Sequence, residues 1–392
     1  MRILGIIAEY DPFHRGHLFH LQEAKKQVRP DATFIVLSPC LKQRGDLSLL
    51  SPFDRARCAL ESGADAVFSL PVLWTLRDAE HYALGAVSML SGLGVTHLAF
   101  GAEAAEPSLL SASADLLESP SCCFEQALRE KLSAGAGYPA ALSAALSAAL
   151  PEAAGLLDQP NNTLAVCYLR AIRRLKLSLR PVIIHRCGRY HASVVDPEAP
   201  SASALRKSLL RGDYAPAFTA VPEVTAGLLR RRFAEGRHPD ENVLDALLLW
   251  RLRSMTADEY AALPDLSEGM ENALRDAASA VLTRRELLAF LSGKRYPAAR
   301  ISRLCAYVLL GITRSMMESC PLPDSALLLG LKKNPVMTAL WKGLPLRVLS
   351  SFGEWKKAAS PADLAAWRLW ALCCRLPDTL PFAEKTVTLP PD

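Results

Sequence analysis

Residues Ile3–Leu21, ILGIIAEYDPFHRGHLFHL, restrict the fold more than any other stretch of this 392-residue chain. The apolar run Ile3–Ala8 has the length and content of a buried parallel strand. It leads through Asp11-Pro12 into His14-Arg15-Gly16-His17, after which Leu18, Leu21 and Ala24 recur at helical spacing. A strand that enters a helix through a His-x-Gly-His turn predicts a nucleotide-phosphate site. The helix N-terminus offers unpaired N–H groups and a partial positive charge to an anion. Gly16 is expected to let a phosphate or ribose approach the backbone. His14 and His17, three apart, are expected to reach the same bound group. Three of the eight histidines (His14, His17 and His20) crowd into this stretch. A surface or core role, the ordinary one for a histidine, does not account for that crowding.

The length exceeds one ordinary core, so two domains are expected. Half the residues are hydrophobic and 22% are charged, a globular composition. No apolar run approaches the roughly 20 residues of a membrane span, and no secretory leader is read at the start; a cytoplasmic protein without membrane association is expected. The ten cysteines form no C-x-x-C pair, so neither a metal site nor a disulfide framework is expected. Cys40 as a catalytic thiol is the weaker alternative to a buried apolar role. Lys plus Arg and Asp plus Glu nearly cancel up to Pro200, 19 against 20, whereas from Ser201 onward they number 26 against 20. The excess gathers around Arg284-Arg285, Lys294-Arg295, Arg300, Arg303 and Arg314, which points to an anionic partner for the second half.

Strand candidates at Ile3–Ala8, Thr33–Leu37, Ala66–Leu70, His97–Phe100 and Pro181–His185 alternate with helical patterns. Such alternation predicts an α/β, doubly wound parallel sheet with ligands at the carboxyl ends of its strands. A helical insertion is expected over Ser108–Leu150. After about Gly212 strands are expected to stop, with helices over Val243–Met255, Met270–Leu282, Ile301–Met316 and Leu364–Cys374. Irregular connections are expected around Leu327–Val348 and a loop over Pro377–Asp392. The division is therefore 1–212, catalytic, and 213–392, mainly helical and basic.

Ser201-Ala202-Ser203-Ala204-Leu205-Arg206 forms a second constellation before another amphipathic helix. Either serine alone reads as an N-cap. With Arg206 they supply hydroxyls, N–H groups and a guanidinium able to bind two phosphate oxygens. An N-terminal H-x-G-H with a later Ser-rich element ending in Arg is the pairing of the HIGH nucleotidyltransferase superfamily. The segments EYDPFHRGHLFHL, LKQRGD, FGAE, QPNNTLAVCYLRAI, SASALR, SEGMEN and KRYPAARISR occur in that order. Together they closely resemble the bacterial tRNA(Met) cytidine acetate ligase family, from the first residue to about Met316.

That resemblance implies a Rossmann-like nucleotidyltransferase domain that activates acetate with ATP as acetyl-adenylate. The acetyl group then passes to the exocyclic amine of the wobble cytidine in elongator tRNA(Met). Carried over by position, ATP would lie along Ile7, Ala8, Glu9, Tyr10, Pro12, Phe13, His14, Gly16, His17 and His20. Gly101, Asn161, Asn162, Arg186, Ser201, Ser203 and Arg206 would join it, with His14, His17 and Arg206 at the reacting phosphates. Mg²⁺ is expected on phosphate oxygens, since the chain shows no protein metal cage. Lys294, Arg295, Arg300 and Arg303 are the expected RNA contacts, and Lys42 and Arg44, on a loop with Gln43, are expected to contact RNA or phosphate. Asp11 stands where the family commonly has Asn, and Pro39-Cys40 where it has a Gly-Ser pair. A carboxylate beside phosphate is unfavourable unless it turns away or holds a cation. The rival readings are an adenylyltransferase making a coenzyme precursor and a non-catalytic nucleotide- and RNA-binding protein.

Overall fold

The computed structural model describes residues 1–104, 106–186, 195–196, 200–266, 269–293, 296–333, 343–378 and 386–390. Five parallel strands form where the apolar runs predict them: β1 (Ile3–Ala8), β2 (Ala32–Leu37), β3 (Ala66–Ser69), β4 (His97–Ala102) and β5 (Arg180–His185). Between them lie α1 (Arg15–Val28), α2 (Pro52–Glu61), α3 (Val72–Thr75), α4 (Ala79–Gly92), α5 (Pro107–Glu118), α6 (Cys122–Ser133), α7 (Tyr138–Ala149) and α8 (Pro160–Arg174). The helical insertion after β4 is thus present. α9 (Ala202–Leu210) follows β5.

The strand order is β5-β4-β1-β2-β3 and then two later strands. The chain moves from β1 to β2 and β3 on one side, then returns to place β4 on the other side of β1. The order therefore reverses at β1, and the crevice outside its carboxyl end is where such sheets bind ligands. The His-x-Gly-His turn occupies that end.

Alternation along the strands builds two cores. Leu4, Ile6, Ile35, Leu37 and Val67 face one side with α1, α2 and the C-terminal helices. Ile3, Phe34, Val36, Ala66 and Phe68 face the other with α4, α5 and α8. Every residue of β2 is buried, so its sequence reads as one apolar run.

Residues beyond Gly212 are helical for about a hundred positions, but the expectation that strands stop there is overturned. β6 (Ser325–Lys332) pairs antiparallel with β3, and β7 (Arg347–Leu349) and β8 (Val387–Leu389) both pair parallel with β6. The sheet thus has eight strands and crosses the boundary expected at residue 212. The segment SALLLGLK has no period that separates strand from buried helix, and only the open edge of β3 decides it. The stretches expected as irregular connection and terminal loop hold β7 and β8 for the same reason. The helix expected over Ile301–Met316 is split, because Gly311 adopts φ +63° and ends Ala298–Leu310 with a left-handed residue.

Side chains from the last helix, Pro361–Cys373, bind the two halves. Trp367 is fully buried, with its ring centroid 5.7 Å from that of Phe53 and 6.0 Å from that of Trp355. Trp370 Nε1 donates to the Ser48 carbonyl at 2.8 Å, and Asp363 accepts from the Val72 N–H at 2.7 Å. The first of these hydrogen bonds closes the loop after β2 from behind, and the second holds the start of α3. No described helix is long and apolar enough to cross a membrane.

Candidate nucleotide-phosphate site

β1 ends at Ala8 and the chain turns sharply at Tyr10, whose φ is +48°. Tyr10, Pro12 and Phe13 are buried and form a floor, the Tyr10 and Phe13 rings meeting edge to face at 4.7 Å. His14 is the N-cap residue of α1, with extended backbone (φ −128°, ψ 173°). Its backbone N–H donates to Nδ1 of His17 at 3.3 Å, and the two imidazoles stack with centroids 3.6 Å apart. The pair expected to share one ligand is thus in contact. A Cβ at Gly16 would lie 3.0 Å from His14 Cε1, so this glycine keeps room for the imidazole as well as an open helix start.

Burial, with the Arg186 cation adding to it, pushes the His14 imidazole down to about 3. The same two causes push His20 down to about 4, and His17 is held well below its ordinary value by burial, by the crowding of the His14 and His20 imidazoles and by the Arg186 cation. All three are neutral in the free protein. His14 Nδ1, His20 Nε2 and the Tyr10 hydroxyl are buried with no hydrogen-bond partner. Polar atoms left in that state are uncommon in folded proteins and mark a place where a polar ligand fits.

α9 begins beside α1. The Pro200 carbonyl is 3.9 Å from the Cβ position of Gly16, and the Arg15 N–H donates to the Ala220 carbonyl at 3.1 Å. Ser201 caps α9, its hydroxyl accepting the Ala204 N–H at 3.2 Å, while Ser203 is exposed. Arg206, one turn into α9, pairs with Asp11. Asp11 is fully buried, accepts the Leu49 N–H at 2.7 Å, and lies 3.7 Å from the Lys42 ammonium. The carboxylate that departs from the family pattern therefore does hold cations.

On the other flank, Arg186 follows β5 and Gly101 lies in β4. A Cβ at Gly101 would sit 2.8 Å from Arg186 Cδ, so the space this glycine opens is taken by the arginine stem. Asn161 accepts from Arg186 at 2.9 Å and donates to Glu103, which aims the guanidinium. The amide oxygen of Asn162 accepts the Glu103 and Ala104 N–H groups, both at 2.9 Å, and so braces the loop after β4.

The sequence reading missed the residue beneath these groups. Arg55 of α2 is fully buried. Its guanidinium donates to the carbonyls of Glu9 (2.7 Å), Ser38 (3.0 Å), Leu50 (3.2 Å) and Pro39, and to the Ser48 hydroxyl (3.2 Å). It ties the carboxyl ends of β1 and β2 together. Its one signal is position, because Arg55 falls on the same stripe as Ala59, where an amphipathic helix places apolar residues. Cys40, in the loop that Arg55 holds, is fully buried.

The loop after β2 also carries Lys42 and Arg44. Lys42 reaches Asp46 at 3.6 Å as well as Asp11, and Gln43 N–H donates to Glu9 at 2.7 Å. On its other side, Asp46 accepts from Arg284 at 2.9 Å, and the Ser302 hydroxyl donates to the Arg44 carbonyl at 2.5 Å. Burial alone would raise the Asp46 carboxyl, but Lys42, Arg284 and Arg206 hold it far below the carboxylate range. Gly45 has φ +85° and a Cβ there would lie 2.6 Å from the Ser302 carbonyl, so only glycine seats this turn against Ala298–Leu310. Of the other expected RNA contacts, Arg300 donates to the Asp265 carbonyl at 3.1 Å. Arg303 points inward, its side chain 11% exposed and 3.9 Å from Asp265. Lys294 and Arg295 lie outside the described residues. No group of three or more metal-ligating side chains occurs among the described residues.

A reversal point in a parallel sheet, two helix starts side by side, paired imidazoles and a nearby arginine define a nucleotidyltransferase of the HIGH class. The family model for HIGH Nucleotidyl Transferase matches residues 1–373. The tRNA(Met) cytidine acetate ligase of Syntrophomonas wolfei is 35% identical over 326 residues, which cover 81% of this chain and 78% of that one. That of Acetivibrio thermocellus is 30% identical over 403 residues, 96% of each chain. The crystal structure of Thermotoga maritima TmcAL without ligand superposes with a TM-score of 0.93 at 26% identity over the whole of both chains. Its form bound with alpha-thio ATP gives 0.90. The chain belongs to the tRNA(Met) cytidine acetate ligase family.

Two outcomes follow from these contacts. His14 is neutral when folded but binds a proton in the unfolded chain below about 6.5. Its share of stability is therefore complete above that pH and falls as the pH drops towards about 3. At pH 5 the loss from His14 is about 2 kcal/mol, and H14N is expected to remove that share of the difference between urea titrations at pH 7.5 and 5. Arg55→Met leaves five buried acceptors without this donor and, at about 1–3 kcal/mol for an unsatisfied buried acceptor, is expected to lower the unfolding free energy by about 3 kcal/mol or more, measured by the same titration at pH 7.5.

Proposed function

We propose that this protein activates acetate with ATP and transfers the acetyl group to the exocyclic amine of the wobble cytidine of elongator tRNA(Met). One observation carries the reading furthest: Arg206 pairs with Asp11, three residues before His14, and the Pro200 carbonyl beside the start of α9 approaches Gly16 between the stacked His14 and His17. Family membership supplies the substrate class. A tRNA substrate places the reaction in the cytoplasm.

In the first step an acetate oxygen attacks the α-phosphorus of ATP. The bond from that phosphorus to the bridging oxygen breaks, and pyrophosphate leaves with the electron pair. No protein nucleophile is needed, so catalysis consists of positioning and of neutralising charge. The starts of α1 and α9 present N–H groups to the phosphates. Arg186, aimed by Asn161, and Arg206 supply guanidinium groups for the oxygens that gain charge. Neutral imidazoles at His14 and His17 donate N–H bonds without adding a proton to the departing group. Mg²⁺, when bound, would be held on phosphate oxygens, since the described residues offer no cage of their own, and would spread the charge of the triphosphate.

In the second step the cytidine amine attacks the acetyl carbonyl, AMP leaves with the electrons of the carbon–oxygen bond, and the amine loses a proton. The base has to leave its stack, which single-stranded loops allow. Arg44, exposed on the turn between the phosphate site and the basic helices, contacts the RNA backbone in this reading.

Acetate-dependent exchange of pyrophosphate into ATP, and acid-stable label on tRNA from labelled acetate, test the proposal. Both are expected; exchange that ignores acetate but follows another acid or phosphate would favour an adenylyltransferase. Arg206→Met is expected to lower exchange by about 10²–10³. Arg44→Ala is expected to weaken tRNA binding and reduce its salt slope by about one, with ATP affinity unchanged, as read by filter binding at two or more salt concentrations.

A further inference from the structure

We infer that Asp11 sets the affinity of the phosphate site by occupying its cations when no triphosphate is present. The inference rests on the proposed nucleotide reading and concerns a residue that reading leaves without a role.

Asp11 is 1% exposed and sits between the reversal point of the sheet and α1. A carboxylate this deep is expensive to bury unless it is paired and hydrogen-bonded. It meets both conditions. One oxygen accepts the Leu49 N–H at 2.7 Å, and the other pairs with Arg206 and faces the Lys42 ammonium at 3.7 Å. Both cations are largely buried, with side chains 15% and 13% exposed. Arg206 extends from α9 across to the turn after β1 to make this contact, a separation of 195 residues along the chain. The carboxylate thus draws the guanidinium towards the His14 turn before any ligand arrives.

The same pairing opposes the ligand. A triphosphate entering beside His14 and Gly16 needs the donors that Asp11 holds, and it meets a fixed negative charge. Binding therefore exchanges one anion for another around Arg206 and Lys42. Lys42 passes to Asp46, whose own partner is Arg284, so its side chain keeps a counter-charge on either side of the exchange. Removing the Asp11 charge while keeping its shape leaves Arg206 for the phosphates alone, while Lys42 keeps Asp46 as a counter-charge. ATP should then bind more tightly, and pyrophosphate should leave more slowly.

The experiment is ATP titration of the full chain and of Asp11→Asn, without acetate or RNA, at low and high salt. D11N is expected to bind ATP about tenfold more tightly at low salt, the scale of one charge-assisted contact, with a smaller gain at high salt. The gain is expected to vanish in an Arg206→Gln background, because the competition is for that guanidinium. Asp11→Ser, which lacks the charge and is smaller, should tighten binding in the same way and serves if D11N does not fold. Equal or weaker binding by the folded variant, or a gain that persists without Arg206, would overturn the inference while the proposed function stands. Failure of the unchanged protein to bind ATP would sink the proposed function and this inference together.

Discussion

A buried guanidinium, that of Arg55, with no carboxylate in direct contact among the described residues, is the constraint around which this structure is arranged. The carboxyl ends of parallel strands bring backbone carbonyls together where little water reaches, and unpaired carbonyls there are costly. Arg55 answers several of them at once, from Glu9, Ser38, Pro39 and Leu50. Its flat fork suits this work better than the single ammonium of lysine. With those loops held, the turn at Tyr10 and the start of α1 have a fixed place, and the buried His14 stacks on His17 there.

Charge in the site alternates outward from that hub. Glu9 and Asp11 lie near Arg55, then Lys42 and Arg206, then Asp46, then Arg284. Each charge has an opposite neighbour, which is how so many ionised groups persist in a poorly solvated region. The Lys42–Asp46 turn belongs to this series and touches both the phosphate site and the helix Ala298–Leu310. A rigid connection of that kind gives the two halves of the chain a common geometry, which an enzyme joining a nucleotide reaction to a large RNA requires.

Much of this was legible in the chain. The five parallel strands and the turn at the end of β1 follow from patterns of apolar residues and from a short motif, and the structure brings the second motif's Arg206 onto Asp11 in that turn. Other roles depend on contacts that spacing does not show. Gly101 and Asn162 read as ligand contacts in the sequence, and in the structure the arginine stem fills the space at Gly101 while the Asn162 amide oxygen accepts backbone N–H groups. Arg303 counts as basic surface in a composition but turns inward to Asp265. β6, β7 and β8 were missed because a short apolar run acquires its identity from the sheet edge it meets.

The sequence by itself determined the class of fold and the family, and it pointed to the first strand–helix turn as the candidate phosphate site. Those depend on local spacing, which is written in neighbouring positions. Only the tertiary structure decided that Asp11 clasps Arg206 and Lys42, that Arg55 is the hub, and that the last strands complete the sheet. Each of these is a contact between residues far apart in the chain, and the burial that makes such a charge or edge consequential exists only once the core has closed around it.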